Sequence, residues 1–274
     1  MPVPRVRRWK PLALTAAALV GITVPATATA TTAAGAHGDT YDASTYYDDT
    51  YYKDALGKTG PALKSALHTI ISKQTKLSYS QVWDALKTTD QDPANSSNVI
   101  LLYTGTSRSK SSSGGDQGDW NREHVWAKSH GDFGTATGPG TDIHHLRPED
   151  VTVNSIRGNK DFDNGGGAVS GAPGNLTDGD SFEPRDAVKG DVARMILYMA
   201  VRYDGGDGFP DLEPNDKVAN GSAPAIGRLP VLKQWSDEDP PDAFEKNRNQ
   251  VIFDKFQHNR NPFIDHPEWV EEVW

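Results

Sequence analysis

D-W-N-R-E-H-V-W at 119–126 and T-D-I-H-H-L-R-P-E-D-V-T-V-N-S-I-R-G-N-K-D-F at 141–162 decide how this chain is read. The first holds an adjacent carboxylate and imidazole, Glu123 and His124. Such a pair can belong to a zinc site, a hydrolytic triad, a base beside a metal, or an ordinary surface. The helical zinc motif H-E-x-x-H needs two histidines four apart with Glu between them. Here Glu123-His124 is followed by His130, so no helical face presents that set. His144 and His145 are adjacent, and on an extended segment at most one of them joins a given site. A G-x-S-x-G nucleophile turn is absent and there is no cysteine. What remains is a hard cation with oxygen ligands and a nearby imidazole. Magnesium takes one or two protein oxygens and keeps several waters, and Glu123 with the amide oxygen of Asn154 is a set of that kind. An imidazole with an ordinary pKa near ~6.5 can take a proton from water at neutral pH. The combination suits phosphodiester hydrolysis.

The N-terminus reads differently from the rest. Arg5, Arg7, Arg8 and Lys10 precede the apolar run P-L-A-L-T-A-A-A-L-V-G-I-T-V-P, and A-x-A patterns follow at 26–30. The run is shorter than the ~20 residues of a spanning helix, so 1–30 is expected to be a secretory signal peptide, cleaved somewhere between 28 and 36. Cleavage removes four of 28 basic residues and none of 37 acidic ones, taking the formal charge from −9 to −13. The expected product, 31–274, is an extracellular acidic protein with no membrane segment of its own, and a monomer is the default at this size. Without cysteine it has no disulfide staples, so core packing and bound metal must stabilise it. The acidic balance also argues against holding a polyanion over a broad face; a local basic groove is required.

Ordered structure is expected from about residue 40, with the tyrosine-rich 41–53 as its lead-in. Leu63, Leu67, Ile70 and Ile71 predict an amphipathic helix over 61–73, and Tyr79, Val82, Trp83 and Leu86 a short second one. V-I-L-L-Y-T-G at 99–105 reads as a buried strand. S-R-S-K-S-S-S-G-G-D-Q-G-D at 107–119 reads as a flexible connection. Gly-rich loops at 163–175 and 204–216 bracket a long helix from about Pro184 to Tyr203. Its apolar face carries Val188, Val192, Met195, Ile196 and Met199. Lys189, Arg194 and Arg202 fall off that face, either solvated or facing phosphate. D-G-G-D-G at 204–208 lacks the spacing of a calcium loop, and G-K-T-G at 57–60 lacks the upstream glycine of a phosphate loop. No repeat or second domain is evident.

Four segments in order, N-R-E-H-V-W, the 141–162 stretch, F-E-P-R-D-A-V-K-G-D-V-A-R-M-I-L-Y-M-A-V-R-Y at 182–203 and N-R-N-P-F-I-D-H-P-E at 259–268, resemble the bacterial endonuclease I family of secreted and periplasmic nonspecific nucleases. The resemblance implies an α+β, mainly helical single domain with a small sheet and an embedded ββα-metal (His-Me) finger at about 119–162. In that finger His124 ends the first strand, D-I-H-H-L is the second, and V-T-V-N-S-I-R is the helix. It implies His124 as general base, Glu123 and Asn154 as ligands of Mg2+ (Ca2+ or Mn2+ as alternatives), DNA or also RNA as substrate, and 5′-phosphate products. His145 stands where relatives resembling D-L-H-N-L carry Asn, which leaves its role open.

Arg157, three residues after Asn154, is expected on the same helix face, steadying the scissile phosphate. Arg122, Lys128, Arg147 and Lys160 complete the expected basic cleft, each weighed against a structural ion pair. Asp142 either orients an imidazole, that of His124 or His144, or shapes a turn. Asp265-His266 reads as part of a C-terminal anchor built on Phe263 and Ile264. Two other readings remain: a divalent-metal phosphodiesterase for small substrates, and a calcium-stabilised secreted binding module without turnover.

Overall fold

The helix Lys189–Arg202 is the axis of the molecule, with every residue from Gly190 to Arg202 buried. It packs against helices Leu229–Glu238, Gly60–Ile71 and Pro262–Asp265. The computed structural model describes residues 50–274. The expected signal peptide, its cleavage window and most of the tyrosine-rich stretch lie outside the described residues. Further helices are Gln81–Thr89, Val151–Arg157, Ala243–Lys255 and Trp269–Val273, and the strands form small separate sheets, so the class is α+β.

Several elements follow from local chemistry. Gly60–Ile71 has Pro at its first turn and buries Leu63, Leu67, Ile70 and Ile71, the four positions spaced for one helical face. The long helix starts at Lys189, after a short 3-10 turn at Asp186–Val188, so Pro184 precedes it instead of opening it. Neither expectation for its basic residues holds. Arg194 and Arg202 are buried, the first on Glu245 (2.6 Å) and the second on Asp207 (2.8 Å), and Lys189 pairs with Glu183 (2.7 Å). A helix buried on all sides must find partners for its charges inside the protein.

The apolar run at 99–105 crosses a turn. The strand is Asn95–Ile100, the middle of a three-stranded antiparallel sheet, and Leu101, Leu102 and Tyr103 are buried beyond its end. At the C-terminus, Pro262–Asp265 forms a short helix with Phe263 and Ile264 buried, and Asp265 accepts hydrogen bonds from Arg260 and Tyr52. The anchor reading is the one realised there.

Strands Trp120–His124 and Leu146–Asp150 form a two-stranded antiparallel ribbon, with Glu123 opposite Arg147 and His124 opposite Leu146. The helix Val151–Arg157 follows without a linker, capped by the Asp150 carboxylate on the amides of Thr152 (2.8 Å) and Val153 (3.2 Å). It ends at Gly158, whose φ of +60° suits glycine. The second strand begins where D-I-H-H-L ends, which corrects the expectation that this segment was itself the strand.

Asp142 is the reason. Its carboxylate accepts from the His144 amide (3.0 Å), Gln74 (3.0 Å), Gln257 (2.9 Å) and the hydroxyls of Tyr198 and Tyr203 (both 2.9 Å). Its carbonyl accepts from the amides of His145 and Leu146. These bonds wrap 142–145 into a turn tied to the axial helix. Asp142→Ala takes the acceptor from two buried hydroxyls and three amides, of which Gln257 alone keeps another acceptor, Asn259. It should lower unfolding free energy by about 3–5 kcal/mol, read as a lower midpoint at unchanged slope in urea denaturation.

Candidate active site

Alternation along Trp120–His124 sends Asn121 and Glu123 to one face and Arg122 and His124 to the other. The ribbon helix covers the first face. Residues two apart on a strand share a face, as do residues three apart on a helix, and Asn154 and Arg157 meet Asn121 and Glu123 as two pairs. Asn154 donates its amide nitrogen to Asn121 Oδ1 (2.7 Å), and Arg157 donates to Glu123 Oε1 (3.0 Å).

Glu123 is 2 % exposed. Tyr103 also donates to its Oε1 (2.7 Å), so neither bond falls on Oε2. Burial raises the Glu123 pKa above the usual carboxylate range, opposed by the Arg157 guanidinium and the Tyr103 hydroxyl. With its nitrogen committed to Asn121, the Asn154 amide has its oxygen available. Among the described residues no three His, Cys, Asp or Glu side chains gather as a metal cage. A carboxylate the protein has desolvated and an oriented carboxamide oxygen fit a hard divalent ion that retains waters.

His124 is 7 % exposed, and its Nε2 donates to the Gly140 carbonyl (3.1 Å). That bond fixes the tautomer with the lone pair on Nδ1. Burial pushes its pKa down to about 3, helped by the neighbouring His145 ring and by Lys128 and Arg122, with the Gly140 bond opposing. Gly140, not Asp142, orients the ring.

A cleft of about 390 Å³ is lined by Tyr79, Trp83, Arg122, Glu123, His124 and Asn154, with Lys128 and Asn159 among its other residues. Five expected site residues therefore share one cavity: Glu123, His124, Asn154, Arg122 and Lys128. Three do not line it. Arg147, 2 % exposed, lies on Asp90 (2.5 Å) and Asp191 (3.3 Å). Arg157, fully buried, also donates to the carbonyls of His124 (2.7 Å) and Val125 (2.6 Å), and so sits beneath the site. Lys160 donates to Thr177 Oγ1 (2.7 Å). Arg147 fails as a phosphate contact because its face of the ribbon packs on buried acids.

His144 donates or accepts at Asn259, and His145 Nε2 donates to the Pro139 carbonyl (2.7 Å) while its Nδ1 accepts from the Trp126 amide. Neither lines the cleft. Sequence reasoning missed Tyr103, Gly140, Asn121, Tyr79 and Trp83. Only Asn121 carried a signal, lying two residues before Glu123 and so on its face.

The sequence profile of the Endonuclease I family matches residues 59–268. A protein of Bacillus amyloliquefaciens named extracellular ribonuclease is 72 % identical over 233 residues, covering 85 % of this chain and 79 % of the relative. Another of that name, from Bacillus subtilis (strain 168), is 68 % identical over 233 residues with the same coverage. The class is that of secreted nucleases, hydrolases of phosphodiester bonds. This chain belongs to the Endonuclease I family.

With its pKa held down by burial, the His124 ring should stay neutral at pH 5.5, where a free imidazole is mostly protonated. Histidine side-chain NMR against pH reads this directly; a midpoint near ~6.5 means the ring is solvated and the desolvation argument fails.

Proposed function

We propose that the protein is a secreted, metal-dependent, nonspecific endonuclease acting on both DNA and RNA through a ββα-metal finger formed by Trp120–His124, Leu146–Asp150 and Val151–Arg157. The observation that carries the reading is the buried His124 ring, anchored through Nε2 to the Gly140 carbonyl, with Nδ1 left to accept a proton beside Glu123 and Asn154. A binding module has no need of such an imidazole, and family membership sets that alternative aside.

His124 Nδ1 takes a proton from a water aimed at phosphorus, and the Gly140 carbonyl stabilises the imidazolium that forms. Glu123 Oε2 and Asn154 Oδ1 would hold a divalent ion, Mg2+ in the favoured reading with Ca2+ or Mn2+ as alternatives, and such an ion would supply electrostatic offset of charge on the phosphate and the departing 3′ oxygen. Arg157 and Tyr103 keep the Glu123 carboxylate in place, so Arg157 is a positioning residue here instead of a phosphate contact. Among the described residues Arg122 and Lys128 are the Lys and Arg side chains that line the cleft, and they take flanking phosphates. No step uses a 2′-hydroxyl, which is why RNA and DNA are both accepted; the Bacillus relatives are named for ribonuclease activity.

His124→Ala should lower kcat on plasmid DNA and on RNA by at least about a hundredfold, and a chelator should abolish the wild-type activity; a variant that nicks plasmid at the wild-type rate removes His124 from the mechanism. Tyr103→Phe should raise the divalent concentration for half-maximal rate by about tenfold or more, measured in a metal titration. RNA fragments should carry 5′-phosphate and 3′-hydroxyl ends; 2′,3′-cyclic phosphate in their mass spectra means the 2′-hydroxyl is the nucleophile and the water route is wrong.

A further inference from the structure

Buried arginines elsewhere in this protein rest on acids: Arg147 on Asp90, Arg157 on Glu123 and Arg194 on Glu245. Arg122 does not. It is half-buried on the cleft wall, and its guanidinium carbon lies 3.4 Å from the ring centre of Tyr79 and 4.1 Å from that of Trp83. Among the described residues no carboxylate pairs with it. Its Nη1 donates to the Tyr79 carbonyl (2.6 Å) and its Nε is buried without a partner, which leaves Nη2 for a ligand in the cavity. Burial lowers its pKa, opposed by Tyr79.

The rings are themselves braced. Trp83 meets buried Trp120 edge-on at 5.3 Å between ring centres, and Tyr79 lies 6.0 Å from the His124 ring. A π face attracts a cation without cancelling its charge, whereas a carboxylate would cancel it and repel a polyanion. In a chain with a net charge of −9 that difference decides whether the cleft stays attractive to phosphate. A cation drawn out of water without a counter-ion is destabilising, and an anion entering the cleft relieves it. Arginine suits the place because its guanidinium stays charged where a buried ammonium readily loses its proton. Held against two rings, it also has little side-chain freedom left to lose on binding.

Arg122 and His124 share one face of the strand Trp120–His124, ~6.6 Å apart along it. With the scissile phosphate at His124, a neighbouring phosphate is the one that meets Arg122. We propose that Tyr79 and Trp83 are positioning residues that hold Arg122 as an uncompensated cation for one phosphate adjacent to the scissile one, so that the rate at a bond depends on the charge of a single neighbouring linkage. This rests on the nuclease reading of the same cleft, and adds to it a defined place for the contact and a role for the two rings.

The test uses the mature protein with Mg2+ and a DNA duplex labelled at one end of one strand, beside a copy in which one central linkage of that strand is a neutral methylphosphonate. Each bond's cleavage rate is divided by that of the same bond in the unmodified strand. For the wild type, one of the two bonds next to the neutral linkage should be slowed at least about tenfold. In Arg122→Met, of similar length but without charge, that bond should be slowed no more than about twofold, because the contact is already gone. Tyr79→Leu and Trp83→Leu should each bring the slowing below about threefold, while Tyr79→Phe and Trp83→Phe, which keep a π face, retain it. Ratios within one protein cancel any general loss of activity, and the leucine variants decide the outcome should Arg122→Met not fold. Wild-type protein indifferent to the neutral linkage at both neighbouring bonds overturns the proposal, as does an Arg122→Met variant that keeps the tenfold slowing, which assigns the contact to Lys128. Leucine variants with the wild-type ratio overturn the positioning role of the rings. Wild-type protein that leaves the unmodified strand uncut overturns instead the nuclease reading on which this one rests.

Discussion

Arg157 has four carbonyl and carboxylate oxygens within reach, and the local architecture depends on it. Its two terminal nitrogens hold Glu123, the carbonyls of His124 and Val125, and that of Lys160. The chain leaves the ribbon at His124, so the carbonyls there have no full strand partner, and buried carbonyls without donors are costly. One guanidinium from the ribbon helix supplies the donors and fixes the Glu123 carboxylate as well. Lysine has a single nitrogen and no planar fork, so it cannot take the place of arginine at such a site. The same side chain that closes the strand end thus sets the geometry of the proposed metal ligand.

That use of arginine recurs. Arg147 and Arg248 share Asp90, Arg194 takes Glu245, and Arg260 takes Asp265. Pairs this deeply buried contribute little net stability against well-packed apolar residues, but losing one partner strands a charge. In a protein without disulfides they specify how helices and loops dock. A consequence is that these arginines do not face a polyanion, and among the described residues the Lys and Arg side chains lining the cleft are Arg122 and Lys128. With a net charge of −9 over the full chain, attraction must be local, and in the proposed mechanism the cation at Glu123 and Asn154 would add to it.

How much of this was legible depended on whether the signal was local. V-T-V-N-S-I-R, the helix the resemblance implied, matches Val151–Arg157 residue for residue, and the structure shows Asp150 and Gly158 capping its ends. Glu123, His124 and Asn154 emerge from donor chemistry together with the family resemblance, and the fold brings all three to one cavity. D-I-H-H-L was the second strand by the family resemblance, whereas four hydrogen bonds from distant residues and one from its own His144 amide bend it around Asp142. Arg147 misled for a similar reason: its partners Asp90 and Asp191 are more than forty residues away in sequence. Tyr79 and Trp83 looked like core because helical spacing places them with Val82 and Leu86, and only the path of the 120–124 strand turns them toward the site.

That strand explains why one five-residue segment carries so much. In most sheets the alternation of a strand separates a buried face from a solvated one. Here both faces are occupied, one by the ribbon helix with Asn154 and Arg157, the other by Tyr79 and Trp83 around Arg122. The cleft opens where the strand ends, so Glu123 and His124, pointing to opposite faces, still border the same cavity. A carboxylate desolvated on the helix side and an imidazole desolvated on the aromatic side can then be tuned separately, the first toward a cation and the second toward a neutral base. Adjacent positions on a helix, about 100° apart, would have placed both groups in one environment and coupled their charges.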